Sequence, residues 1–144
     1  MSPRSMRFTL QAAALYNLAW GGWVVLFPQH YFQLTGMEPV NHPAIWQGTG
    51  MIVGVYGLGY WWASRQPLVH WPIVAVGLLG KIFGPLGYVW NLLQETIPPA
   101  FGYTLITNDL IWWIPFALIL REAWLAKQMQ EPATATPVTE VTNH

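Results

Sequence analysis

The sequence predicts an all-α fold: an integral membrane four-helix bundle running up-down-up-down. Three observations carry that expectation. Hydrophobic residues fill 53% of the 144 positions and charged residues only 8%, about a third of the charged share of a soluble domain. Six basic and six acidic side chains are too few to keep a surface of this size in water, so lipid must cover most of it. Four stretches are each long and apolar enough for a crossing, which takes about 20 residues. The basic residues, finally, sort to one side of the four crossings. The length allows one compact unit, read as a four-helix domain over residues 1–127 and a tail over 128–144.

The first stretch runs from Phe8 to Phe27 and stops at Pro28. Arg4 and Arg7 before it give it a superficial likeness to a secretory signal. Its apolar run outlasts a signal core and no small-x-small cleavage site follows, so a retained helix is expected. The connection from Pro28 to Pro43 is long for neighbouring helices. Its Tyr31, Phe32, Leu34 and Met37 predict a short segment lying along the membrane interface. The second stretch, Ala44 to Ser64, is stopped by Arg65 and Pro67. The third runs from Val69 to Leu93, and inside it Pro85 should kink the helix and release a carbonyl near its middle. The fourth runs from Leu105 to Leu125. Each stretch must be helical, because an open strand leaves its backbone unsatisfied in lipid. From Gln128 the chain turns polar, with Pro132 and Pro137 among Thr, Ala and Glu, and a disordered cytoplasmic tail is expected.

Orientation follows from the cations. Arg4, Arg7, Arg65, Arg121 and Lys127 lie at the two ends and in the second connection, whereas the first and third connections carry no Lys or Arg. The positive-inside rule then places both termini in the cytoplasm. Tyr31, Trp46, Trp90 and Tyr103 fall near the outer interface and Trp61, Trp62, Trp71 and Trp124 near the inner one, depths that suit rings with one polar atom. Trp20, Tyr56, Trp112 and Trp113 fall deeper, where core packing or a ligand contact is expected. The mean hydropathy of +0.31 understates this composition, because the scale scores Trp and Tyr as polar.

Lipid gives helices no hydrophobic reason to associate, so small residues that admit close backbone approach matter. Gly50, Gly54 and Gly57 share one face of the second helix. Gly77, Gly80, Gly84 and Gly87 share one face of the third. The two strips predict an antiparallel pair packed glycine to glycine.

Lys81 is the most informative residue. A lone ammonium is costly mid-membrane and must face a partner, water or a ligand, and its position near Gly77 and Gly84 turns it towards the bundle. Asp109 is the natural counter-charge. Thr107, Asn108 and Asp109 also read as a helix N-terminus, where such side chains satisfy free N–H groups, so capping and pairing both stand. Asn17, Gln47 and Asn91 complete the polar set, either as interhelical glue of under about 1 kcal/mol each or as part of a pocket. The candidate ligand-binding set is Asn17, Gln47, Lys81, Asp109 and Trp112.

Other classes fall away. With no Cys, thiol peroxidase, disulfide-exchange and thiolate-metal chemistry are excluded. Zero net charge gives no electrostatic case for nucleic acid. His30 and His42 lack metal-ligand spacing with any third residue, and His70, beside Trp71 and Pro72, is read as an interfacial residue, so no metal is expected. No phosphate-cradling loop or Ser–His–Asp set occurs, and no catalytic residue is assigned.

The patterns Tyr16-Asn17-Leu18-Ala19-Trp20-Gly21, Trp46-Gln47-Gly48 through Tyr56-Gly57, Gly80-Lys81-Ile82-Phe83-Gly84-Pro85 and Asn108-Asp109-Leu110-Ile111-Trp112-Trp113 resemble small bacterial proteins similar to the DoxX-like four-helix membrane family. The resemblance covers about residues 8 to 125. It implies a bacterial inner-membrane location and a link to quinone-dependent oxidation and redox stress, and it carries over no catalytic residue. No cofactor is evident in the residues themselves; a quinone enters only through this resemblance. The leading expectation is an accessory protein, not itself catalytic, that binds a lipophilic molecule such as a quinone or docks a membrane redox partner. A proton-coupled transporter using Lys81 and Asp109 is the alternative, and a membrane enzyme on a lipid-soluble substrate a third. Partners beyond the bilayer would be that ligand, a redox protein or further copies of the chain.

Overall fold

The computed structural model describes residues 1–130, and they are helical almost throughout, with no strand among them. Helix α1 spans Pro3–Leu26, opened by Ser2, whose hydroxyl accepts from the Ser5 N–H, and by Pro3 at a position where its missing N–H costs nothing. It begins upstream of the apolar run because this cap stands there. The first connection folds into a short helix, α2 (His30–Thr35), closed by Gly36 at φ 67°. That left-handed turn lets the Met37 N–H reach the Phe32 carbonyl. Its Tyr31 and Phe32 are buried, while Leu34 is exposed. Helix α3 spans Pro43–Ala63 and α4 spans Trp71–Leu93, each with a proline in its first turn.

The last helical run departs most from expectation. It starts at a 3-10 turn (Pro99–Gly102), passes through one α turn (α5, Tyr103–Leu105) and a π-helical turn (Ile106–Leu110), then continues as α6 (Ile111–Gln130). Thr107, Asn108 and Asp109 are therefore not a helix N-terminus. Helical backbone precedes them, so the capping role is withdrawn. Residues 128–130 extend α6, and the remainder of the expected tail lies outside the described residues.

Two helical runs, Trp71–Leu93 and Pro99–Met129, are long and apolar enough to cross a membrane. The glycines, tyrosines and tryptophans of α3 hold its mean hydropathy lower. Yet α1 exposes Phe8, Leu15 and Leu26, and α3 exposes Ile45, Met51, Ile52, Val55 and Leu58.

The packing corrects the expected glycine pair. Gly50, Gly54 and Gly57 do not face α4; they receive α1. A Cβ on Gly21 would sit 2.5 Å from the Gly50 carbonyl oxygen and 3.0 Å from the Gly54 nitrogen, and one on Gly57 2.9 Å from the Ala14 carbonyl. Backbone touches backbone along α1 and α3, which is the closest pairing in the molecule. α4 pairs instead with α6, and α3 and α4 meet sparsely. Their contact is one of side chain on glycine, Tyr60 lying against Gly77. A core of Leu10, Ala13, Ala14, Tyr60, Ala63, Val74, Phe116 and Ile119 fills the end of the bundle where the α3–α4 connection lies.

Candidate functional site

Pro85 has no N–H to give the carbonyl four residues earlier, so the Lys81 carbonyl loses its helical donor. The Trp113 indole replaces it, donating across from α6 at 2.9 Å. The same residue returns the tie through its side chain, because the Lys81 ammonium donates to the carbonyl oxygen of Asn108. That carbonyl belongs to the π-helical turn, where the wider backbone ring also leaves the Thr107 carbonyl accepting from the Trp112 indole at 2.9 Å. α4 and the π turn are thus clasped around one lysine.

Lys81 and Asp109 are each 4% exposed and Asn17 is 3% exposed. All three line one cavity of about 160 Å³ together with Asn108, Tyr56, Tyr60, Gly77 and Gly80. No direct ion pair joins Lys81 to Asp109 among the described residues: the ammonium is on the Asn108 carbonyl, and the carboxylate accepts from the Asn108 side-chain amide at 3.0 Å. The expected contact pair is replaced by two charges bridged through one asparagine. The ammonium also stands 5.9 Å from the ring centres of both Tyr60 and Trp112, a favourable placement for a desolvated cation.

A second cavity of about 360 Å³ shares Val53, Gly80, Asn108 and Asp109 with the first and continues along α4 towards Asn91. Trp20 and Trp46 line its far wall, with Gly84, Gly87 and Tyr88 on the α4 side. Gly80 and Gly87 would meet nothing within 4 Å if given a Cβ, and Gly84 would meet only the Asp109 carboxylate at 3.7 Å. The α4 glycine strip is accordingly the wall of an open seam. From Gly77 to Asn91 the seam follows α4 for roughly 20 Å at 1.5 Å per residue.

The remaining sequence candidates sit elsewhere. Gln47 donates to the Val25 carbonyl at 2.9 Å, fastening the start of α3 to the end of α1. Trp112 is a core residue packed on Phe116 and Tyr16, touching the site only through the Lys81 ammonium. Asn91 donates to the Gly87 carbonyl of its own helix at 2.8 Å and lines the far end of the seam. Sequence reasoning missed Asn108 as a site residue, having read it as a cap, and missed Tyr60. Tyr31 closes the end of the molecule opposite the α3–α4 connection: its hydroxyl donates to the Phe101 carbonyl at 2.6 Å, and its ring meets Trp23, Phe32, Trp46 and Phe101. Burial pushes the Tyr31 phenol above its ordinary range.

Four buried polar atoms at the seam lack any partner: the side-chain oxygens of Asn17 and Asn108 and the indole nitrogens of Trp20 and Trp46. No group of three or more His, Cys, Asp or Glu that could hold a metal occurs among the described residues. Comparison of the chain with protein-family models, with curated proteins and with solved structures returns no match.

Proposed function

We propose that all four long helices cross a bilayer, with both termini on the cytoplasmic side, and that the α3–α4 seam binds a lipophilic molecule. The exposed apolar side chains on α1 and α3 support the four crossings, because water would not tolerate such a girdle, and the distribution of Arg and Lys supports the orientation. The observation that carries the binding reading is the seam itself. It is an apolar channel, bare on its glycine side and ending at a buried lysine, aspartate and two asparagines. Small-molecule sites combine an apolar wall with a few convergent polar groups in this way, in volumes of about 300–1,000 Å³. The tail of the molecule would lie along Gly80, Gly84 and Gly87 and its polar end against Asn17, Lys81, Asn108 and Asp109. The resemblance to DoxX-like proteins supports a bacterial inner membrane and a quinone or quinol as one such molecule.

Native mass spectrometry from a mild detergent tests this. The parent protein is expected to carry a co-purified lipophile, and Gly80→Leu, whose side chain would project into open seam, should melt like the parent yet lose the adduct. A bare parent protein, or an adduct unaffected by Gly80→Leu, would overturn the assignment. A second reading, proton-coupled transport, rests on the two ionisable groups sharing one cavity. Proton flux into proteoliposomes that is abolished by Asp109→Asn would favour it.

A further inference from the structure

Which atoms are left without partners in the seam specifies what the bound molecule must offer. The Asn17 amide nitrogen is committed to the Val53 carbonyl at 3.3 Å, and the Asn108 amide nitrogen to the Asp109 carboxylate at 3.0 Å. Neither side chain can be turned over without setting oxygen against oxygen, so in both it is the acceptor that stays free. On the wall facing α4 the free atoms are donors, the indole N–H groups of Trp20 and Trp46, whose rings meet edge to face at 5.9 Å. Leaving a buried acceptor or donor without a partner is unfavourable, and four in one seam is a pattern that an occupant relieves.

Resting on the ligand-binding reading above, we infer that the molecule held in the seam carries a hydroxyl that donates to the side-chain oxygen of Asn17 or Asn108, and a second oxygen that accepts from the Trp20 or Trp46 indole. A quinone offers only acceptors and leaves both asparagine oxygens unrelieved, whereas its reduced hydroxyl form satisfies them. An aliphatic alcohol such as a monoalkyl glycerol has the same chemistry.

The test compares an alkyl hydroquinone, kept reduced, with its dimethyl ether bearing the same alkyl chain, by binding to the full-length protein in detergent. The hydroquinone should bind about tenfold more tightly, the equivalent of one hydrogen bond. Asn17→Leu or Asn108→Leu, whichever removes the acceptor, should shrink that preference to less than about threefold, and a preference kept in both overturns the proposal; Trp46→Phe, which removes a donor with no partner in the protein, should weaken both probes alike. Equal affinity for hydroquinone and ether overturns the hydroxyl requirement but leaves the site standing. Binding of neither, in a protein that melts normally, overturns the ligand site as well. A monoalkyl glycerol as third probe separates the sources: tighter retention than the hydroquinone makes the hydroxyl aliphatic, weaker retention makes it phenolic.

Discussion

Removing the amide hydrogen at position 85 strands the Lys81 carbonyl inside α4, and the Trp113 indole reaches from α6 to take it. Trp113→Phe should therefore cost about 1–3 kcal/mol, the penalty for a buried acceptor left alone. With Pro85→Ala restoring the helical donor, the same change should cost under about 0.5 kcal/mol; equal losses in both backgrounds, read by melts in one detergent, would refute the exchange. The charges obey a weaker coupling. Because Lys81 and Asp109 meet through Asn108 and not directly, a Lys81→Met and Asp109→Asn cycle should give a coupling of about 1 kcal/mol, below the roughly 3–5 kcal/mol lost on breaking a direct buried pair. A larger value would mean that the two side chains touch in solution. At this scale much was legible: a lone cation amid apolar residues has to be buried with polar company. Its actual acceptor was not, because a backbone carbonyl in a π turn has no side-chain signature in a sequence.

Between helices, glycine spacing tells which face is bare but not which neighbour uses it. The α3 strip receives α1, and the α4 strip faces the seam, so two similar patterns serve opposite ends. Gly21→Ala should destabilise by about 1–3 kcal/mol, since its new methyl meets backbone that cannot rotate away. Gly54→Ala, whose methyl would meet nothing within 4 Å, should stay within about 0.5 kcal/mol of the parent. Thermal melts that rank these two the other way would displace the α1–α3 contact. The short α2 was readable from the aromatic residues of an overlong connection. The early start of the last helical run was not: the expected span begins only at Leu105, beyond the 3-10 turn of Pro99–Gly102.

For the whole molecule the composition carries the membrane reading proposed above: little charge, much tryptophan, and cations that, apart from Lys81, keep to the two ends and the second connection. Reporter fusions at Gln66 and after Lys127 should register cytoplasmic, and fusions near Pro39 and Pro98 external; a cytoplasmic signal from either of the latter would remove the four-crossing arrangement. The pairing pattern has one more consequence. Both tight partnerships, α1 with α3 and α4 with α6, join helices that follow one another along the chain, while the seam divides the sequence near its midpoint. A ribosome completes the first partnership before the second has been translated, so each can assemble without waiting for the other. Severing the chain in the connection between residues 64 and 70 should then yield two polypeptides that insert separately and reunite when produced in the same cell, leaving the seam as the place where two independently made hairpins meet.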